Sequence, residues 1–111
     1  MKKFVYIQKE ETDIENVYKI GVTNNLTVRN KQFLTGNSND ILIVKSFLSN
    51  YPYKIEAALL KKYKHKNKNR DWFYLDDDDL NEFEKNCELY EKIFKNIEHV
   101  EIENKLMKEK L

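Results

Sequence analysis

Two glycines, one proline, one cysteine and two histidines occur among 111 residues. With so little glycine and proline there is no linker to divide the chain, and neither repeats nor low-complexity segments appear. The lone cysteine, Cys87, excludes an internal disulfide and any multi-cysteine zinc site. The two histidines, His65 and His99, stand too far apart for a local metal motif. Cys87 therefore reads as a small buried apolar group. Long apolar runs are missing too: none approaches the roughly 18 residues that span a bilayer. After Met1-Lys2-Lys3 only four apolar residues precede the return of charge, which does not make a secretory signal. A soluble, intracellular protein without a membrane partner is expected. At this length one domain with a modest core is the natural outcome.

Charge, by contrast, is plentiful and uneven. The net value is +1, yet residues 17–70 carry eleven Lys/Arg against two acids, while residues 71–111 carry six lysines against thirteen acids. A middle segment of +9 is the footprint of a surface that meets phosphates, and a closing segment of −7 argues against indiscriminate polyanion binding. Lysines that merely solubilise a small domain are the competing explanation.

The stretch 4–21 organises the rest. FVYI and VYKIG are apolar-aromatic runs flanking a charged connection, the pattern of an antiparallel hairpin. Pairing symmetric about Thr12 would set Tyr6 opposite Tyr18, both rings on one face. Gly21 ends the second strand and permits a sharp turn or a close ligand. Asn24 or Asn25 can cap a short helix over residues 26–34, with TGNSN as its closing turn. Arg29 shares a stripe there with Leu26 and Phe33. A guanidinium there reads as a snorkelling residue at the core margin, and the helix and hairpin supply no anionic partner for it nearby. ILIVKSFL, residues 41–48, reads as a central strand. Pro52 opens a helix to about His65, with Ile55, Ala58, Leu59, Lys62 and Tyr63 inward and Glu56 at the border. The basic connection 64–70 (Lys64, His65, Lys66, Lys68, Arg70) is a solvated loop or a phosphate-tracking one. DWFYL follows as a short strand with Trp72 and Tyr74 on one face, whose burial is expected to lock the sheet. The acids 76–79 suit a helix N-terminus. Leu80, Phe83, Cys87, Tyr90, Phe94 and Ile97 then mark a long amphipathic helix.

FVY, then YKIG twelve residues on, Arg29 eight after the glycine, Glu56 opening a helical segment and Asp71-Trp72-Phe73 closing the set together resemble the GIY-YIG nuclease superfamily. The likeness is nearest to its phage and viral branch, often labelled DNA-binding domains, and covers roughly residues 4–75. It implies an α+β fold: a small three-stranded, mainly antiparallel sheet flanked by helices. Residues 1–75 would form the core, and 76–111 an acidic helical extension packed on it.

By the same resemblance the chain would hydrolyse phosphodiesters in double-stranded DNA using Mg²⁺ or Mn²⁺. Tyr6, directly or through Tyr18, would handle the attacking water, Arg29 hold the scissile phosphate and Glu56 anchor the metal. Gly21 would allow close backbone approach, and Lys19, Lys64, His65, Lys66, Lys68 and Arg70 would contact DNA. Relatives often carry histidine four residues after the glutamate, where this chain has Leu60. A non-cleaving DNA-binding module is therefore the alternative. The C-terminal helix could cover the basic face or join two copies as a homodimer. A viral origin, implied only by the branch, would place the protein in host cytoplasm or nucleus.

Overall fold

The computed structural model describes residues 1–10, 15–27 and 41–110. Strands β1 (Lys3–Glu10) and β2 (Val17–Thr23) form the hairpin, and β3 (Ile41–Ser49) follows. Helix α1 (Pro52–Lys62) and a 3₁₀ turn (Lys64–Lys66) lead to the short strands β4 (Asn67–Asn69) and β5 (Trp72–Tyr74). Helices α2 (Asp77–Asn81) and α3 (Phe83–Lys110) complete the order. The strands make one five-stranded antiparallel sheet, ordered β3-β1-β2-β5-β4.

This corrects the three-stranded expectation in two ways. β4 is Asn-Lys-Asn, fully exposed, and joins β5 through its backbone with an irregular register. Side-chain pattern cannot reveal such a strand. β3 is an edge strand of the sheet, not a central one. Its apolar run reports burial of faces, whereas edge position depends on which backbone groups find partners. Leu42 and Leu48 are accordingly exposed while Val44 and Phe47 pack on the core.

The hairpin register also differs from symmetry about Thr12. Tyr6 pairs with Gly21 and Tyr18 with Lys9, because the strands run on to Glu10 and begin again only at Val17. An odd shift of register exchanges the faces of one strand relative to the other. Tyr18 therefore points with Val5, Ile7 and Ile20 into the core, and Tyr6 lies on the other face with Gly21.

Ile55 and Leu59 of α1, one turn apart, fill that core from below, joined by Tyr63, Phe73, Leu75, Phe83 and Cys87. Pro52 takes the first-turn position, as its missing N–H allows. Phe73, not its neighbours Trp72 and Tyr74, is the aromatic that closes the sheet onto the helices. Those two share the outer face, opposite Lys19 and Val17 respectively. Cys87 is fully buried, and burial pushes its thiol up to about 12.

Asp76 caps α2 in a reciprocal box: its carboxylate accepts from the Asp79 N–H at 2.8 Å, and that of Asp79 accepts from the Asp76 N–H at 3.0 Å. A break at Glu82 then separates α2 from α3, where spacing alone reads one helix. Leu80 and Phe83 keep a three-residue interval across it, so periodicity does not register the break. Glu91 fastens α3 to the β3–α1 junction, bonding to the buried Ser49 hydroxyl and accepting from the Asn50 N–H at 3.1 Å. Tyr51 likewise bonds to Glu98, which pushes the phenol up to about 12. Asn25 accepts from the Thr27 N–H at 3.0 Å, the capping contact expected of it. Arg29 and the rest of the helix and turn expected over 26–39 lie outside the described residues.

Candidate active site

β5 pairs with β2 only from Val17 to Lys19. Past Lys19 the outer edge of β2 has no strand against it among the described residues. At that edge lies a cavity of about 350 Å³, lined by Tyr6, Lys19, Ile20, Gly21, Val22, Glu56, Leu60 and Asp71. A space of this size suits a small polar group such as a phosphodiester.

Each side chain arrives by a distinct route. Tyr6, cross-strand partner of Gly21, lays its ring over the glycine. A Cβ at position 21 would stand 2.5 Å from the Tyr6 Oη and 2.6 Å from Cζ, so only glycine leaves the phenol this path. The ring itself is almost wholly buried. Lys19, two residues before Gly21, projects on the same face. Glu56 follows Ile55 on α1 and so borders the core stripe, reaching the cavity from the helix side with Leu60, one turn on.

Asp71 comes from the β4–β5 turn. Arg70 there holds a φ of 46°, a conformation disfavoured for a residue with a side chain. The Asn67 amide steadies that turn by donating to the Arg70 carbonyl at 2.9 Å and the Trp72 carbonyl at 3.1 Å. Because Trp72 pairs with Lys19, the residue just before it is delivered to the point where β2 loses its partner.

Electrostatically the site is acid-rich. Burial holds the Glu56 carboxyl above the usual glutamate range, Asp71 adds to the rise, and Lys19 opposes it. Two carboxylates and one ammonium thus leave unbalanced negative charge beside a space open to solvent. Hard divalent cations take such oxygen ligands while keeping several waters, so Glu56 with Asp71 fits Mg²⁺ or Mn²⁺ chemically. Among the described residues no group of three or more His, Cys, Asp and Glu could cage an ion alone. Remaining ligands would have to be water or substrate oxygen.

The structure therefore gathers Tyr6, Lys19, Gly21 and Glu56 of the residues singled out from sequence. It does not bring Tyr18 there: that ring is in the core on the other face of the sheet. Lys64 and His65 are exposed in the 3₁₀ turn, away from the cavity lining. Lys66 is committed to Asp79 at 2.6 Å and Asp76 at 3.5 Å. Lys68 pairs with Glu15 and lies 6.0 Å from the Tyr74 ring centroid. Arg70 is exposed at the turn. Sequence reasoning missed Asp71 and undervalued Lys19. The available signal was parity: Lys19, not Tyr18, shares a strand face with Gly21.

A phenol, an ammonium and two carboxylates converge on a stretch of β2 that no strand among the described residues pairs, in a small α+β domain with a polar site. The chain belongs to the T5orf172 domain family, which it matches over residues 3–102, a span that contains every group lining the cavity. This is a phage-associated domain related to nuclease-like folds, and it marks the chain as a DNA-binding or endonuclease-like module. No curated protein and no solved structure matches the chain. No helix among the described residues is long and apolar enough to cross a membrane.

Proposed function

We propose that the chain is a metal-dependent DNA endonuclease of GIY-YIG type, with the cavity at the open edge of β2 as its reaction centre. The observation that carries this reading is the convergence of Tyr6, Lys19, Glu56 and Asp71, from three strands' surroundings and one helix, over a glycine that must lack a side chain. Tyr6 is placed to orient the attacking water and accept its proton. Lys19 lines the same cavity from the same face of the sheet. Lys19, on the face that Tyr18 was expected to share with Tyr6, donates to a nonbridging phosphate oxygen. Glu56 and Asp71 hold Mg²⁺ or Mn²⁺, which when bound neutralises charge on the phosphate. Water attacks phosphorus, the bond to the leaving oxygen breaks, and a proton is returned to that oxygen. Arg29 adds a planar donor fork for the same phosphate.

Around the centre, the basic segment tracks the backbone of double-stranded DNA. Lys64, His65 and Arg70 contribute directly, and Lys66 and Lys68 exchange their carboxylate partners for phosphates. A second reading, a DNA-binding module that does not cut, is favoured by Leu60. It puts an apolar side chain into the lining at the position where relatives often carry histidine.

Supercoiled plasmid incubated with the protein and Mg²⁺ or Mn²⁺ separates the two. Nicking by the wild type that disappears in Glu56→Ala and in the presence of a chelator supports the nuclease. Salt-sensitive binding without nicking supports the module. Nicking that survives Glu56→Ala removes the carboxylate from its assigned role.

A further inference from the structure

From Phe83 to Phe94, α3 packs on the body through Phe83, Cys87, Tyr90 and Phe94. Beyond Phe94 every described residue of the helix is exposed, and the molecule reaches 62 Å in its longest dimension. The body-facing stripe, continued at helical spacing, becomes Glu98, Glu101 and Lys105. A second apolar stripe, roughly a quarter turn away, takes over: Ile93, Ile97, Val100, Asn104 and Met107 alternate spacings of four and three. Its four apolar members are 41–66% exposed.

We infer that this stripe is the seam of a parallel, two-stranded coiled coil with a second copy of the chain. In heptad terms Ile97 and Asn104 occupy a positions, and Ile93, Val100 and Met107 occupy d positions. β-Branched Ile97 at a favours two strands. Asn104 is the one polar member of the seam. In a parallel, in-register pair it meets its own copy, amide to amide; in an antiparallel pair it would face an apolar d residue, Ile93 or Val100, with its hydrogen bonds unmet.

The flanking charges agree. Glu103 at g lies across from Lys108 at e of the following heptad in the second copy, and the symmetric contact repeats it. Within one chain Glu103 makes an exposed contact of 3.1 Å with His99 through one oxygen, and among the described residues no other ion pair engages it. Residues 95–110 hold four lysines and four glutamates, so net charge does not oppose pairing. The seam is short, and the pair is expected to form in the micromolar range, ~1–100 μM. The helix needs no fresh nucleation because its first half is already held by the body. This inference does not depend on how the cavity is used.

Val100 and Ile102 supply a matched test: both are β-branched and 52% exposed, but only Val100 lies on the seam. Sedimentation equilibrium of the full chain from ~1 μM to ~1 mM is expected to show monomer–dimer exchange. Val100→Glu should weaken it at least tenfold and Ile102→Glu less than threefold. Met107→Cys, a d position, should form an interchain disulfide on mild oxidation, which buried Cys87 cannot do in the wild type. A chain monomeric throughout, or equal effects of the two glutamates, overturns the seam. A persisting dimer in which Met107→Cys fails to crosslink overturns the parallel register. Circular dichroism of each variant excludes unfolding as the cause.

Discussion

The two ends of β2 make an instructive pair. From Val17 to Lys19 the strand has β1 on one side and β5 on the other; past Lys19, β5 has gone. At the closed end Tyr18 is consumed by packing against the hydrophobic core. At the open end a glycine, a lysine and the edges of a helix and a turn leave a polar cavity instead. A sheet is stable where its edges are satisfied, and chemistry becomes possible where one stops short while the rest holds the position rigidly. Tyr18 and Lys19, adjacent in sequence, therefore meet different surroundings: the core for one, the cavity for the other.

The sharpest way to break this contrast is to fill the open end. Gly21→Val puts a side chain where the Tyr6 phenol lies, and should cost about 1–3 kcal/mol of stability in urea unfolding, as overpacking does. Plasmid nicking should fall to background in the same variant. If nicking persists at the wild-type rate, Tyr6 does not act across Gly21.

Next comes a comparison of the two phenols. Tyr6→Phe should keep the fold and lower the nicking rate roughly 10²–10⁴-fold, the usual weight of a general base. Tyr18→Phe should leave the rate close to wild type, since its ring faces the core. Equal losses in both would return Tyr18 to the reaction.

Glu56→Gln separates activity from stability. Its folded carboxyl is held above the ordinary range by burial and Asp71, so the folded protein binds that proton more tightly than the unfolded chain. Stability is therefore lost as pH rises from the ordinary glutamate range through the raised folded value. Glutamine should consequently raise Tm at neutral pH while abolishing metal-dependent nicking, and the Tm difference should vanish in acid. A lower Tm at neutral pH would mean that the Lys19 attraction outweighs burial.

The smallest effect belongs to the closed side. Lys66→Ala removes the cation that spans the α2 cap and should lower Tm slightly at pH 7. The Asp79 N–H, foremost, holds the Asp76 carboxyl below its usual range. That contribution is present above the normal carboxylate range and fades as pH falls. Thermal melts across pH should thus show the wild-type advantage shrinking in acid; an advantage constant with pH would exclude Asp76 as the lysine's partner in stability.

Much of this was legible in the chain. The hairpin, the Pro52-led helix with Ile55 and Leu59 inward, the Asp76 cap and buried Cys87 follow from spacing, capping chemistry and composition. Glu56 stood out because carboxylates are rare in the basic segment. Asp71 did not, because nothing local distinguishes it from a strand-opening acid; its place is set by the pairing of the next residue with Lys19. The basic connection looked uniform, yet Lys66 and Lys68 have carboxylate partners 13 and 53 residues distant in sequence.

Sequence by itself determined the hairpin strands, β3 and the apolar stripes of the longer helices, since those depend on side-chain volume, branching and period within a few residues. Only the tertiary structure decided the register that pairs Tyr6 with Gly21, the order of the described strands, and the point at Lys19 where β5 leaves β2. Those are backbone hydrogen-bonding choices between distant segments. One residue of slip reverses every face without changing any local preference, so only the packed whole can select among them.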